Sequence, residues 1–444
     1  MKQFMVGITA FCLVLGGRAQ TPYTLKQCID TALQKSLQLK SDRYDLAKTQ
    51  ASIGQAYSSL LPTLDGSASY QYYFKVQEQL IPTSVFGGPA GKYQAASLST
   101  PQSKSVALQL NQTLFNASSL IALKAAKVAV NLNQLQIQSS KEDLVYNVSA
   151  TYYNIQSIIK QQELTESNLA IDESLLGVTS DQFKAGLATQ TDVDRLTVTR
   201  DNTKATLQSN LNSVEKQYNM LKVLMNIPLE SNIVVVADEF TDAAALASQT
   251  AGDFGPARKT NYLQVLENKR VADLQRQNIK AGYLPTLALG ANYGVSGFNN
   301  NANPFTNLNS TWYPSSYVSL KLNVPIFDGF SKKYQVKQKE ADIQKYDVQA
   351  AQTFQQNSKD VADAYADLKS NYITLQNQQR NLVLAQKVLN DINTQYKSGI
   401  VKLTDAINAQ NELQTAQNNY ITALINIKQA ELNLKKAKGN LIQQ

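Results

Sequence analysis

The chain has 444 residues, a formal net charge of +8, no histidine, two cysteines and four methionines. Without an imidazole, Ser-His and Cys-His catalytic arrangements are excluded, and a His- or Cys-ligated metal site is nearly excluded. A single tryptophan among abundant Asn and Gln is poor material for a large globular core and favours an elongated architecture.

The first residues predict a secretory signal peptide. Lys2 precedes an apolar run over residues 4–15, and Ala19 ends a small-residue cleavage site. The run is shorter than the roughly 20 residues of a transmembrane helix, and we expect cleavage after Ala19. Loss of Lys2 and Arg18 lowers the formal charge to +6, and Cys28 remains as a lone cysteine without an intrachain disulfide partner.

Past the signal peptide, no segment predicts a transmembrane helix, so the mature chain is soluble or enters a membrane as strands. The charged residues are scattered along helical segments. That scatter indicates solvated helix faces and no nucleic-acid surface.

The mature chain contains an internal repeat. Leu-Pro-Thr-Leu at 61–64 recurs at 284–287, and Phe-Lys-Ala-Gly at 183–186 recurs as Tyr-Lys-Ser-Gly at 396–399. Five residues after each of these glycines stands a Thr-Asp pair. Most landmarks lie 212 to 213 residues apart in the same order, so the two copies share one architecture.

Each copy begins with a helix that ends at a proline, Pro62 or Pro285, because proline removes a donor and disfavours helix before it. A strand, a long polar loop and a returning strand follow. The loops are predicted over Gln77 to Pro101 and Gly297 to Pro314. Alternation gives the strands one apolar face, namely Ala68, Tyr70, Tyr72, Phe74 and Val76 with Val106, Leu108 and Leu110, then Leu287, Leu289, Ala291, Tyr293 and Val295 with Val318, Leu320, Leu322 and Val324.

Long helices close each copy. From Phe330 to Gly399 the chain has neither Gly nor Pro in between, which predicts a helix of about 100 Å. Apolar residues recur every seven positions and predict coiled-coil seams. They are Val361, Leu368, Leu375, Leu382, Leu389 and Tyr396, with Val148, Ile155, Gln162, Leu169, Leu176 and Phe183 in copy one, and Leu413, Tyr420, Ile427 and Leu434 beside Ala416, Ala423, Ala430 and Ala437 in the last helix.

Four strands are too few for a membrane barrel, because known barrels begin at about eight. Open sheet edges would expose unpaired backbone groups to lipid at several kcal/mol each. If the strands enter lipid, several copies of the chain must therefore share one barrel.

In this order the elements resemble the TolC family of outer-membrane factors, the outer membrane efflux proteins. The resemblance covers nearly all of the mature chain. It rests on the opening segment at 23–39, the two Leu-Pro helix ends, and Val-Pro-Ile-Phe-Asp-Gly at 324–329. It rests also on the hairpin tips, the two segments at 183–186 and 396–399 that end in glycine and are followed by Thr-Asp. Each motif is weak by itself, but together and in this order they are strong.

The resemblance implies a mainly α protein with membrane β-strands, in which a homotrimer forms a twelve-stranded barrel and a periplasmic tunnel of twelve helices. It implies an outer-membrane channel for efflux or type I secretion, working with a periplasmic adaptor (membrane fusion) protein and an inner-membrane transporter, without cofactor or metal. The corresponding regions are a signal peptide at 1–19, a first repeat at 20–227, an equatorial connector at 228–256 and a second repeat at 257–444.

The tips, at Gly186 with Leu187 and at Gly399, have two compatible interpretations. Glycine there forms a left-handed helix cap without steric cost. The family further implies that the tips dock the adaptor.

A pore gate is implied around the acids that follow the tips. In the family, the acid matching Asp192 bonds the tyrosine matching Tyr396, and the acid matching Asp405 lines a cation-favouring constriction. The sequence departs from the family at Asn408, where a second acid is expected, and at Val401, where an arginine is expected. Helix-capping roles explain the two acids equally well.

Two other function classes remain at this stage. A periplasmic coiled-coil scaffold without a pore would need the heptads but not the paired strands. An enzyme is disfavoured, because no paired carboxylates or Gly-rich phosphate loop stand on a suitable fold. The sequence does not identify the exported substrate.

Overall fold

A computed structural model describes residues 21–236, 255–300 and 311–442 of the chain. The chain divides into two compact units. One comprises residues 45–134 and 265–349, and the other comprises residues 1–44, 135–264 and 350–444. The predicted signal peptide lies outside the described residues.

The first unit is built on a four-stranded antiparallel sheet with the strand order β2-β5-β7-β8. β7 and β8 continue further into the predicted loop at Gly297 to Pro314 than expected. In the single chain Pro314 is accommodated because β8 lies at the edge of the sheet, where proline costs no central ladder bond. The strands are β2 Thr63–Tyr72, β5 Gln102–Phe115, β7 Thr286–Asn299 and β8 Thr311–Asn323.

The sheet has one apolar and one polar face. Paired residues of antiparallel strands share a face, and the register puts Leu64 opposite Leu110, Leu110 opposite Ala291, and Ala291 opposite Val318. The apolar face further includes Ala68, Val106, Leu108, Leu289, Tyr293 and Leu320, whereas the other face includes Ser67, Ser69, Gln71, Ser105, Gln109, Asn292, Ser296 and Ser319. Much of the apolar face is exposed to solvent in the single chain.

The loop predicted between β2 and β5 has structure of its own. β3 (Glu78–Pro82) and β4 (Tyr93–Ser97) pair as an antiparallel hairpin. The predicted strand residues Phe74 and Val76 lie beyond the end of β2, so their assignment to its apolar face is wrong. Phe74 is 96% exposed.

Helices α2 and α5 lead into the sheet. They end four residues before Pro62 and Pro285, close to the predicted stops, and short turns connect them to β2 and β7. The bounds of the first helices and of α5 are α1 Leu25–Lys35, α2 Leu37–Ser58 and α5 Thr260–Ala281.

The predicted long helices are confirmed, and their bounds are α3 Ala117–Lys184, α4 Gln190–Leu224, α6 Ser331–Lys397 and α7 Leu403–Lys438. In the second unit α3 and α7 form the inner pair. α7 packs on α3 and on α6 and buries both of its predicted stripes almost entirely. By contrast, α4 buries only three residues among those described.

The seven-residue stripe of α6 is confirmed by burial. Val361, Leu368, Leu389 and Tyr396 are at most 6% exposed. In α3 the predicted stripe holds only at its start, because Val148 and Ile155 are buried whereas Phe183 is 41% exposed. Further along, the buried face of α3 is formed by Thr165, Asn168, Asp172, Leu175 and Thr179.

The predicted connector contains a short strand. β6 (Ile233–Val235) pairs in parallel with β1 (Thr21–Tyr23). Next to this pair, Cys28 and Tyr152 belong to the largest buried cluster, with Ile155, Leu221 and Met225. Residues 237–254 of the connector lie outside the described residues, and the domain boundaries stay predictions.

No helix among the described residues has the length and apolar character needed to cross a membrane.

Candidate functional site: the hairpin tips

Both long hairpins reverse at a left-handed glycine, as the sequence predicts. Gly186 has φ +75°, and its N–H donates to the Phe183 carbonyl at 2.9 Å. The N–H of Leu187 donates to the Gln182 carbonyl at 2.8 Å. This pair of bonds satisfies the last carbonyls of α3 in a Schellman cap.

The second tip repeats this geometry. Gly399 has φ +74° and bonds the Tyr396 carbonyl at 2.9 Å, and Ile400 bonds the Gln395 carbonyl at 2.9 Å. The residue after each glycine is an exposed apolar side chain, Leu187 at 80% and Ile400 at 72% exposure. Sequence reasoning missed Ile400, although its place directly after the repeated glycine was a usable signal.

The two acids after the tips cap the returning helices. The Asp192 carboxylate accepts from the Thr189 backbone N–H at 3.1 Å and from the Thr189 hydroxyl at 2.7 Å. These bonds, the side-chain bond first, hold the pKa of Asp192 below its usual range. The Asp405 carboxylate accepts from the Lys402 backbone N–H at 3.1 Å, so both acids have the capping role.

Tyr396 makes a different bond from the one that the resemblance implied. Its hydroxyl lies 2.9 Å from the Thr179 hydroxyl of α3, and the side chain is 6% exposed. The expected Asp192–Tyr396 bond is therefore not made within this chain, because Thr179 occupies the tyrosine hydroxyl and Thr189 occupies the carboxylate.

Asp192 and Tyr396 nevertheless line one pocket of about 460 Å³ at the tips. It is lined by Leu187 and Val401 as well, and by Gln182, Ala188, Gly399, Lys402, Leu403 and Thr404. Asp405 and Asn408 do not line this pocket. They lie three residues apart near the start of α7, both exposed.

No cluster of three or more His, Cys, Asp or Glu side chains among the described residues is arranged to hold a metal ion. The tips present exposed apolar ends, capped helices and a small cleft, which is the chemistry of an interaction surface.

The model of the family described as "Outer membrane efflux protein" matches residues 28–226 and 261–440. The chain belongs to this outer membrane efflux protein family. It is 24% identical over 403 residues to the outer membrane protein TolC of Escherichia coli K12, which covers 88% of the chain and 77% of TolC.

Further similarity is found to an outer membrane efflux protein, BepC of Brucella suis, at 21% identity over 90% of the chain and 82% of BepC. Among solved structures, the outer membrane protein VceC of Vibrio cholerae has a TM-score of 0.70 at 17% identity, covering 94% of the chain and 96% of VceC. At that identity the likeness shows the fold.

This efflux protein is accordingly an outer-membrane channel component of efflux pumps. TolC-like channels work with adaptor proteins and inner-membrane transporters. The proteins that the chain is similar to are channel proteins.

The efflux protein also contains a buried polar interface behind the tips, which sequence reasoning missed. The Thr203 hydroxyl of α4 donates to the Asp172 carboxylate of α3 at 2.7 Å, and the side chains of Asn168 and Gln417 bond each other. Asp172 is 2% exposed, and its burial raises its pKa, an effect that the Thr203 bond opposes.

Proposed function

We propose that three copies of this chain form one outer-membrane channel, with their sheets closed into a twelve-stranded barrel. The observation that carries the proposal is the open four-stranded sheet. β2 and β8 form its two edges, and neither edge is paired with another strand of the described chain. In lipid, unpaired backbone groups are costly, so the edges need partners from other copies.

Strand direction supports a ring. Because all neighbours in the sheet are antiparallel and there are four strands, β2 and β8 run in opposite directions. The β8 edge of one copy can therefore join the β2 edge of the next in antiparallel register. Such head-to-tail contacts close into a ring when the rotation allows.

The two faces of the sheet fit such a barrel. Strands of membrane barrels alternate between lipid-facing apolar residues and lumen-facing polar residues. The apolar face extends over about ten residues of strand, from Leu287 to Gly297, which spans about 25 Å when tilted as in known barrels. The Ser- and Asn-rich face would line the lumen.

The flanking helices α4 and α6 support the same assembly. Each has exposed apolar side chains within the second unit, whereas α7 buries both of its stripes almost entirely. They are Val198, Met220 and Val223 on α4, and Ile373, Val383 and Leu384 on α6, all at least 50% exposed. Contacts between α4 of one copy and α6 of the next would cover them.

At the tips, we assign docking of the periplasmic adaptor to Gly186, Leu187 and Gly399, and add Ile400. Exposed apolar side chains on rigid turns offer the anchors that interfaces use. The inner-membrane transporter would engage the channel through this adaptor.

The gate is assigned to Asp192, Tyr396, Asp405 and Asn408. A threefold ring of Asp405 favours cations. Because Asn408 stands in place of a second acid, the ring carries less negative charge than the family pattern implies. Because Val401 stands in place of an arginine, less positive charge lies near the ring. Closure in this chain uses the Thr179–Tyr396 bond in place of a bond to Asp192.

The test is the mass of the detergent-solubilised protein together with its single-channel conductance in planar bilayers. We expect a trimer with discrete, cation-selective conductance. A monomer without conductance would overturn the assembly. Asp405→Ala is expected to reduce cation selectivity, and unchanged selectivity in an intact trimer would reject the ring while leaving the channel in place.

A further inference from the structure

A cluster of aromatic and basic side chains follows β8 and has no role in the barrel or the gate. Beyond Asn323 the chain exposes Ile326 at 93% and Phe327 at 74%. The Phe327 ring meets Phe330 edge-on at 5.3 Å. We use the name lysine–aromatic stripe for Phe330, Lys333, Tyr334 and Lys337.

The stripe has helical spacing. Lys337 follows Lys333 by four residues and Tyr334 by three, so these three side chains share one side of α6. Phe330 directly precedes the first residue of the helix. Phe330 and Tyr334 are 55% and 60% exposed. The ammonium group of Lys333 lies 5.4 Å from the Phe330 ring centroid, and that of Lys337 lies 6.0 Å from the Tyr334 centroid.

The two lysines of the stripe have aromatic but not acidic partners. The nearby Asp328 is bonded to Lys332 at 3.1 Å, and Lys332 packs over the Tyr283 ring at 5.4 Å. Among the described residues no carboxylate lies within ion-pair distance of Lys333 or Lys337. Their charge is thus available to an anion from outside the chain.

Phe330 is held in a backbone conformation that is unusual for its type. Its φ is +66°, in the left-handed region that costs a non-glycine residue about 1–2 kcal/mol. Strain of this kind concentrates at functional positions. More than half of the Phe330 surface stays exposed despite the contacts with Phe327 and Lys333, which points to a further contact outside the chain.

We propose that the lysine–aromatic stripe binds the phosphate groups of anionic phospholipids in the membrane leaflet at which β8 ends. The inference rests on the proposed insertion of the sheet. Aromatic rings prefer the headgroup level, where lysines extend from apolar surroundings towards phosphate. The first repeat lacks the stripe, because its matching residues, 212 positions earlier, are Ser118, Ile121, Ala122 and Ala125.

Native mass spectrometry of the full chain in neutral detergent, with phosphatidylglycerol and phosphatidylethanolamine as competing probes, tests this proposal. We expect a preference for phosphatidylglycerol. Each lysine near an anionic surface contributes about 1 kcal/mol, so Lys333→Gln with Lys337→Gln should weaken phosphatidylglycerol binding by about thirty-fold. The matched control is Lys124→Gln with Lys127→Gln, which removes the same charge from exposed positions near the start of α3.

An equal loss in the control would show unspecific charge attraction and overturn the proposal, as would unchanged binding in the Lys333 and Lys337 variant. If millimolar inorganic phosphate displaces the lipid, the ligand of the stripe is free phosphate and the lipid proposal is overturned. Phe330→Gly separates function from structure, because it should relieve the strained backbone and raise the melting temperature, yet weaken lipid binding about two- to five-fold. Conductance of the unmodified protein in zwitterionic bilayers reads the channel independently.

Discussion

In the hairpin of α3 and α4, the buried Asp172 accepts a hydrogen bond from Thr203, whereas the matching positions 213 residues later hold Ala385 and Ala416. Thr179 likewise matches Ile392. The same backbone design is thus built once with polar contacts and once with apolar ones. Buried polar pairs fix one arrangement but contribute modest net stability, while apolar packing contributes more and specifies less.

The largest expected effect lies in the apolar hairpin. Leu389→Ala removes a side chain that is 1% exposed and packs on Leu413, so it should cost about 2–5 kcal/mol. The matching change in the first hairpin, Leu176→Ala, removes a half-buried side chain and should cost less. Thermal unfolding followed by helical circular dichroism gives both values. Equal losses would contradict the difference between the hairpins.

The next effect concerns the polar pair. Thr203→Val leaves the Asp172 carboxylate buried without its donor, which should cost about 1–3 kcal/mol. The double variant Asp172→Ala with Thr203→Ala installs the residues of the second hairpin. Its cost should be smaller than the sum of the two single alanine variants, as measured by a double-mutant cycle. An additive result would mean that the two side chains act independently.

The bond between the hairpins should have a smaller effect. Tyr396→Phe removes the hydroxyl that meets Thr179, and the expected loss is about 0.5–1.5 kcal/mol together with more frequent channel opening. Thr179→Val is the matched variant from the other side of the bond. Opening that changes with Asp192→Asn but not with Thr179→Val would restore the family's latch in place of this one.

The smallest effect is a dependence on pH. Because burial raises the folded-state pKa of Asp172 above its unfolded value, the ionised carboxylate costs the folded state free energy at neutral pH. That cost is removed as the pH falls through the raised pKa, so this residue favours the fold at acidic pH. Asp172→Asn should abolish this contribution. Parallel stability curves of the two proteins between pH 4 and 7 would contradict it, with about 3.9 as the unfolded reference.

Much of the fold could be predicted because its signals are local. Glycine and proline mark the turns, alternation of apolar and polar residues marks the two faces of the sheet, and the seven-residue repeat marks the seam of α6. The seam of α3 could not be predicted beyond Ile155, because Asn168, Asp172 and Thr179 look like solvated residues in one helix. Their burial is possible only because hydrogen bonds to side chains on other helices offset the cost of removing them from water.

The site was predictable to the same extent. Gly186, Gly399, Asp192 and Asp405 lie at helix ends, where sequence chemistry is decisive. The partner of Tyr396 was not predictable, because two hydroxyl groups meet across more than two hundred residues. The hairpin of β3 and β4 was missed because its strands are short and lie between turn residues.

Cys28 is the sole cysteine in the described part of the chain and is fully buried, and burial raises its pKa to about 12. At neutral pH this thiol stays protonated, and the thiolate is the reactive form. Once Cys12 is removed with the predicted signal peptide, a cysteine introduced at Leu187 or Ile400 could therefore be labelled with maleimide reagents without first replacing Cys28. The burial of Cys28 thus makes the protein suited to spectroscopic distance measurements at the tips.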